Sequence, residues 1–332
     1  AEASLKDVGN FFGCSFVGNL GDFMLKLLSF ALLSAYISGE SSIIGAALNH
    51  SVPNLLIVGI FTVVIALIFL WASKAIVNAN RILFIGMFAT LIGLIAALLL
   101  QTPINCVPQQ SDNISLNEWT TLVPVIFTSF GFQGSIHSMT KFCENDRNLI
   151  KNACLWGSVI PAIVYIAWTS AILIVVANTD SAFFNLMLEG KAQDVGSLVQ
   201  VLSQAASSQS IQIIVWIISG LAILTSVFGV GLALLDIFQR EWHVIKLVSI
   251  FAVFFVPAVI SVVIPNAFIR ILNISGIILA IIAIIVPVII SCKMQSKKKI
   301  QCKLLLKNKT IMLTVFAIGI AIIMLGVMDI VR

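Results

Sequence analysis

The sequence predicts an all-α polytopic membrane protein, and three observations carry that prediction. Of its 332 residues, 60% are hydrophobic and only 10% charged, where an ordinary soluble domain carries about 25% charged residues. Long runs such as LLIVGIFTVVIALIFLW (55–71) and LVSIFAVFFVPAVISVVI (247–264) approach the roughly 20 residues a helix needs to cross a hydrocarbon core of about 30 Å. These runs also lack the strict polar and apolar alternation of barrel strands.

Nine spans follow in order. The first, 22–48, contains AYISGESS and places Glu40 about two turns from its outer end. The second, 54–73, closes at Trp71, and the third, 82–101, carries no charge at all. The fourth, 119–140, opens at Trp119 and is interrupted by a polar stretch. The fifth, 153–177, and the sixth, 211–238, hold Trp168 and Trp216 as packing residues, and the sixth has Asp236 near its inner end. The spans 247–264, 267–291 and 310–328 complete the set. Trp71 and Trp242 at inner ends and Trp119 at an outer end suit an amphipathic ring at the interface.

Basic residues orient the chain, because short cytoplasmic loops retain Lys and Arg. With residues 1–21 cytoplasmic, fifteen basic residues fall inside. Only Lys191, Arg270 and Arg332 fall outside, and Lys26 lies within the first span. The C-terminus is then external. The formal charge of +5 needs no nucleic acid, since KMQSKKKIQCKLLLKNK (293–309) serves as a topology anchor near anionic headgroups. Six cysteines show neither a C-x-x-C pair nor a metal spacing with histidine, so no disulfide framework, metal site or cofactor is implied.

Two outer loops differ. QTPINCVPQQSDNISLNEW has no basic residue and two prolines, as an exposed connection would. In 178–210, Val195, Leu198, Val199 and Leu202 recur at i, i+3, i+4 and i+7, which predicts a short amphipathic helix. The chain opens AEASLKDVGNFFG, with neither an initiator methionine nor a signal peptide's regions. Nine spans put its termini on opposite sides, so a longer front end is expected.

Residues 127–139 read FTSFGFQGSIHSM, with two glycines and several polar side chains where lipid-facing residues belong. An unwound backbone inside lipid survives only where protein or a watery cavity satisfies it. Close helix packing would also use glycine and serine. The flanking prolines and the density of polar groups favour a break lining a midplane cavity, with half-helix ends offered to a charged or zwitterionic ligand.

VIFTSFGFQGSI (125–136), GSVIPAIVYIAW (157–168), AYISG (35–39) and TSVFGVGLALLDIF (225–238) together resemble the bacterial aromatic amino acid permeases. The chain is most similar to the tyrosine-specific permeases of the hydroxy and aromatic amino acid permease family, within the amino acid, polyamine and organocation superfamily. That resemblance implies two inverted five-helix repeats and an eleventh helix, with substrate between broken helices one and six. The first span here would be family helix three, so 22–101 is the remainder of the first repeat, 119–291 the second repeat and 310–328 the accessory helix of one transporter domain. Family helices one and two would precede residue 1. By the same resemblance Ser129, Phe130, Gly131, Phe132, Gln133, Gly134 and Ser135 line the substrate cavity, and Tyr36 faces the aromatic substrate. Thr225 and Ser226 approach a coupling-ion site, with Glu40 a further ion-coupling candidate. Some proton-driven relatives carry a lysine in the fifth helix, and 82–101 has none.

The function implied is import of an aromatic amino acid, tyrosine foremost, across the bacterial inner membrane by ion symport with alternating access. The coupling ion is expected to be H+, with Na+ the alternative, and a serine/threonine or tryptophan permease is the alternative within the family. The partners implied are the amino acid substrate and the lipid bilayer, with no nucleic acid and no obligate protein partner. An intramembrane hydrolase is the rival from another class. Only His50, His137 and His243 are available to it, with no G-x-S-x-G or H-E-x-x-H motif, so no enzyme is expected.

Overall fold

Apolar runs become helices almost one for one in the computed structural model. It describes residues 5–101, 116–132, 139–140, 142–144, 146–188, 194–206, 208–241, 245–264, 267–296 and 309–331. In chain order the helices are α1 (Leu5–Phe12), α2 (Ser15–Ala47), α3 (Asn54–Gln101), α4 (Leu116–Ser129), α5 (Arg147–Thr179) and α6 (Ser181–Leu188). They continue with α7 (Val195–Ala205), α8 (Gln209–Glu241), α9 (Lys246–Val263), α10 (Ala267–Ala280), α11 (Val286–Ser296) and α12 (Lys309–Val331). A π-helical turn, Ile281–Ile285, joins α10 to α11. There is no strand among the described residues.

Eight stretches are long and apolar enough to cross a membrane, and the ninth expected span is the shorter apolar helix Trp119–Ser129. The exposed faces of these helices are strongly apolar. Leu55, Leu56, Ile60, Val63 and Leu67 on α3 and Phe251, Phe255 and Val259 on α9 lie on the surface. Water would not tolerate such continuous patches, whereas hydrocarbon solvates them.

One expectation is corrected. The spans 54–73 and 82–101 were to be joined by an inner loop at 74–81, and instead α3 is a single 48-residue helix. Its two apolar stretches are Asn54–Trp71 and Ala75–Leu100. The connecting KAIVNANR contains neither proline nor glycine, so nothing local stops a helix once it has started. Two helix interruptions do have a local cause. After α2, Asn49 and His50 take left-handed conformations with φ of 50° and 54°, a common way for a helix to end. The π turn ends two residues before Pro287. The Pro287 ring has no N–H to donate and crowds the carbonyl four residues back, and a widened turn relieves both.

The chain divides into two units. The first comprises residues 1–31, 114–156 and 270–332. Within it α12 packs against α4 and the π turn, and α1 against α11. Three buried glycines permit close approach. A Cβ on Gly276 would stand 2.3 Å from the Pro124 carbonyl oxygen, one on Gly319 2.7 Å from Ile284 Cγ2, and one on Gly326 2.5 Å from Ile277 Cγ1. Such small residues at helix contacts are what association in lipid selects, because packing replaces the hydrophobic drive.

The second unit comprises residues 32–113 and 157–269. In it α3 packs on α8 and α9, and α7 on α8. Its buried core includes Leu98, Val175, Val176, Leu202 and Val215. A second focus is Phe69, which meets Phe254 edge-on at 4.7 Å and Phe228 at 6.1 Å.

Candidate functional site

The first unit contains the helix that ends where the sequence turns polar. Helix α4 carries Pro124 in its interior and stops at Ser129. A tight turn follows, in which the Phe130, Gly131 and Phe132 amides donate to the Phe127, Thr128 and Phe130 carbonyls at 3.2, 2.9 and 2.9 Å. The α-helical pattern has been abandoned at the place where the sequence turns polar. Ser129, Phe130, Gly131 and Phe132 are thus at the break, and Ser129 and Gly131 are exposed. Gln133, Gly134 and Ser135, with His137, lie outside the described residues.

The break has a definite polarity. Ser129 Oγ donates to the Val125 carbonyl at 3.3 Å. Thr128 Oγ1 lies 2.9 Å from the Pro124 carbonyl and 3.0 Å from that of Leu272 on α10. A hydroxyl whose proton is committed to a carbonyl can only accept further hydrogen bonds. Together with the negative end of the α4 dipole, these oxygens suit an ammonium group or a cation and not a carboxylate. Gly131 does not owe its place to backbone freedom, since Gly13 is the only glycine with positive φ among the described residues. A Cβ on Gly131 would instead meet the Thr128 carbonyl oxygen at 2.9 Å and Leu279 Cδ2 at 3.2 Å.

In the second unit the structure joins two residues that the sequence keeps 190 positions apart. The Tyr36 hydroxyl on α2 is hydrogen-bonded to Ser226 on α8. Ser226 Oγ also donates to the Ala222 carbonyl at 3.0 Å. Thr225 also donates to the Ala222 carbonyl, at 3.0 Å, but turns toward α3, where Met87 Sδ lies 3.9 Å away. The two neighbouring hydroxyls therefore serve different helix contacts. Glu40 lies one turn beyond Tyr36 on the same face of α2 and is buried, with Oε2 lacking any hydrogen-bond partner.

Beside this face α7 is tied to α2, as the amphipathic spacing at 195–202 requires: Val199 and Leu202 are buried and Val195 and Leu198 pack against the same cluster. Asp194 caps α7, accepting from the Ser197 amide at 3.1 Å and the Ser197 hydroxyl at 2.8 Å. Ser42 donates to the same carboxylate and accepts from the Gly196 amide at 2.8 Å. Burial alone would raise the Asp194 pKa. The hydrogen bonds from Ser42, Ser197 and the backbone outweigh it and hold the carboxyl below its ordinary value.

Sequence reasoning missed a polar knot in the first unit. Asp329 on α12 accepts from Thr121 of α4 and from the Asn273 amide of α10. Asn273 is 1% exposed and its Oδ1 is unpartnered. The available signal was an aspartate inside an apolar 23-residue helix, since ionisable residues in spans are costly and seldom idle. No group of three or more His, Cys, Asp or Glu side chains able to hold a metal ion occurs among the described residues.

A chain of long apolar helices, one of them stopping short at a polar turn, is that of a multi-pass membrane protein. The family of tryptophan/tyrosine permeases matches residues 10–326, and the chain belongs to that family. It is 29% identical over 275 residues to a tyrosine-specific transport system 1 from Haemophilus influenzae, a match covering 80% of this chain and 66% of that one. A tryptophan-specific transport protein from Pseudomonas aeruginosa is 27% identical over 81% of this chain and 65% of its own. A glutamine transporter 2 from Aliivibrio fischeri is 26% identical over 83% of this chain and 69% of its own. The chain therefore spans about two thirds of the length of these relatives.

Proposed function

We propose that the protein imports an aromatic amino acid, tyrosine foremost, as a secondary active transporter that alternates access across the bacterial inner membrane and is driven by a proton gradient. Membership of the permease family supports transport as the activity, and relatives named for tyrosine and tryptophan support the substrate class. The observation that carries the reading is the termination of α4 at Ser129 followed by a non-helical turn. The negative end of the α4 dipole at this turn fits the α-ammonium group that every amino acid substrate presents. Recognition is assigned to Ser129, Phe130, Gly131 and Phe132, and to Gln133, Gly134 and Ser135 beyond them. Tyr36 is a further recognition residue, with its hydroxyl already oriented by Ser226. Thr225, Ser226 and Glu40 are the coupling groups. Residues 1–21 are assigned to the cytoplasm from the basic asymmetry, and an inverted-repeat arrangement is assigned from the family likeness.

Uptake of radiolabelled tyrosine, tryptophan, serine and glutamine into proteoliposomes containing the full-length protein, under imposed pH or sodium gradients, tests this reading. Saturable tyrosine uptake driven by the pH gradient is the expected result. Accumulation of serine or glutamine alone, or dependence on sodium alone, would overturn it.

A further inference from the structure

We infer that Glu40 is the residue that carries the coupled proton. The inference rests on the transport reading and selects one group among its coupling candidates. Glu40 sits inside a membrane-spanning helix and is 9% exposed, and its Oε2 has no hydrogen-bond partner. Its enclosure is made of small and apolar groups. Gly220 on α8 leaves room for the carboxyl, since a Cβ there would stand 3.2 Å from Glu40 Oε1. The preceding residue, Gly39, is in contact with Phe268 and Ile223, which a Cβ would meet at 2.8 and 3.1 Å.

Other carboxylates at comparable positions are already compensated. Asp22 pairs with Lys26 at 2.9 Å, Asp194 and Asp329 accept hydrogen bonds from several donors, and Asp236 is exposed. Among the described carboxylates, Glu40 alone is both buried and left with an unpartnered oxygen. Of the titratable groups on the elements around it, Tyr36 lies one turn away on α2, Tyr165 on α5 is near Tyr36, and Asp194 at the start of α7 reaches α2 through Ser42; α2 also carries Asp22 and Lys26, α8 Asp236, Arg240 and Glu241, α5 Arg147, Lys151 and Cys154, and α10 the exposed Arg270. The α8 and α10 contacts named above are neutral, and these contacts bring no lysine, arginine or histidine to the carboxyl.

An unpaired carboxylate in a low-dielectric enclosure is costly, so such a group holds a proton while enclosed and gives it up when water arrives. That dependence on hydration is what a proton-coupled cycle needs. In the loaded state Oε2 holds the proton. On opening toward the cytoplasm the O–H bond breaks, the electron pair stays on the carboxylate and the proton passes to water. Thr225 and Ser226 cannot substitute as carriers, because their hydroxyl protons are committed to the Ala222 carbonyl and a hydroxyl does not ionise near neutral pH. Tyr36, a residue assigned to the substrate, lies one turn from the carrier on the same face of α2.

The test uses the full-length protein in proteoliposomes with labelled tyrosine, tryptophan and glutamine. Glu40→Gln keeps the shape and removes the proton. It is expected to lose at least about tenfold of pH-driven accumulation, while substrate exchange, which needs no net proton movement, stays within about twofold of wild type. Glu40→Asp, which restores a carboxyl, is expected to recover pH-driven accumulation. Dicyclohexylcarbodiimide, which attacks protonated carboxyls in apolar surroundings, is expected to modify Glu40 less as pH rises. Undiminished pH-driven accumulation by Glu40→Gln, or accumulation driven by sodium alone, would overturn the inference. Loss of coupling for glutamine with no aromatic uptake in wild type would uphold Glu40 and remove the aromatic reading instead.

Discussion

Gly276→Ala tests how the interrupted helix is held. A Cβ at position 276 would lie 2.3 Å from the Pro124 carbonyl oxygen, 2.7 Å from its carbon and 2.8 Å from Pro124 Cβ. A carbon to carbonyl-oxygen contact settles near about 3.3 Å, so α4 and α10 must part by about 1 Å. These are backbone atoms, and no side-chain rotation relieves the overlap. Overpacking of this kind costs about 1–3 kcal/mol. The same movement stretches the 3.0 Å bond from Thr128 Oγ1 to the Leu272 carbonyl out of range, adding about 0.6 kcal/mol. Reversible unfolding of the purified full-length protein in mixed detergent micelles should register a loss of about 2–3.5 kcal/mol. Gly229 has nothing within 4 Å of its built Cβ, so Gly229→Ala should stay within about 0.5 kcal/mol of wild type. Pro124 lies five residues before Ser129, so the displaced helix should also weaken tyrosine binding about tenfold if the break is the site. A Gly276→Ala protein as stable as the Gly229→Ala control would refute the close approach of α4 to α10.

Three further outcomes follow from particular contacts. Asp194→Ala should remove the α7 cap and the Ser42 tie at a cost of about 1–2 kcal/mol, read as faster amide exchange across 195–205. Because the folded pKa of Asp194 is depressed, the stabilisation from the carboxylate is present above its ordinary value of 3.8 and lost as pH falls through the lower folded value, so α7 exchange in wild type should quicken only in that acid range. Cys143 is a free and partly accessible thiol; with the other cysteines replaced, it should react with an impermeant reagent in inside-out vesicles but not in intact cells, and labelling in intact cells would reverse the proposed orientation. Asp329→Asn should weaken the bonds from Thr121 and Asn273 and destabilise the protein by about 1–3 kcal/mol, with no detectable change meaning that α12 is held to α4 and α10 by its glycine contacts alone.

The spans were legible because hydropathy over about 20 residues reports the surrounding solvent directly, and α7 was legible because Val195, Leu198, Val199 and Leu202 share one helical face. The break near residue 130 was legible for a related reason: polar residues in a span need a cause. The 74–81 segment misled because Lys74 and Arg81 speak to the membrane interface, whereas helix continuation is decided by local backbone preferences, and KAIVNANR has nothing to oppose it. The Tyr36 to Ser226 bond and the Thr121, Asn273 and Asp329 knot were not legible. Each depends on helices distant in sequence meeting at one depth, and periodicity within a single segment carries no such information.

The contrast between hydroxyls and carboxyls gives the weight each motif deserves. Serines and threonines in these spans repeatedly donate to their own helix: Ser29 to the Leu25 carbonyl at 3.0 Å, Ser219 to Val215 at 2.8 Å, Ser249 to Ile245 at 3.2 Å and Ser275 to Ile271 at 2.7 Å. A hydroxyl can always satisfy itself in this way within lipid, so a run of them is weak testimony for a site unless the backbone also breaks, as it does after Ser129. A carboxylate has no such refuge, because it only accepts and the amides of an unbroken helix are already engaged. It must find a donor on another element, as Asp194 and Asp329 do, or keep its own proton. Glu40 has neither a cation nor a capping amide to turn to, and the glycine opposite it leaves space without offering a bond. By this reasoning one buried glutamate tells more about ion coupling than the paired hydroxyls of Thr225 and Ser226, although the hydroxyls are the part that family likeness brings forward.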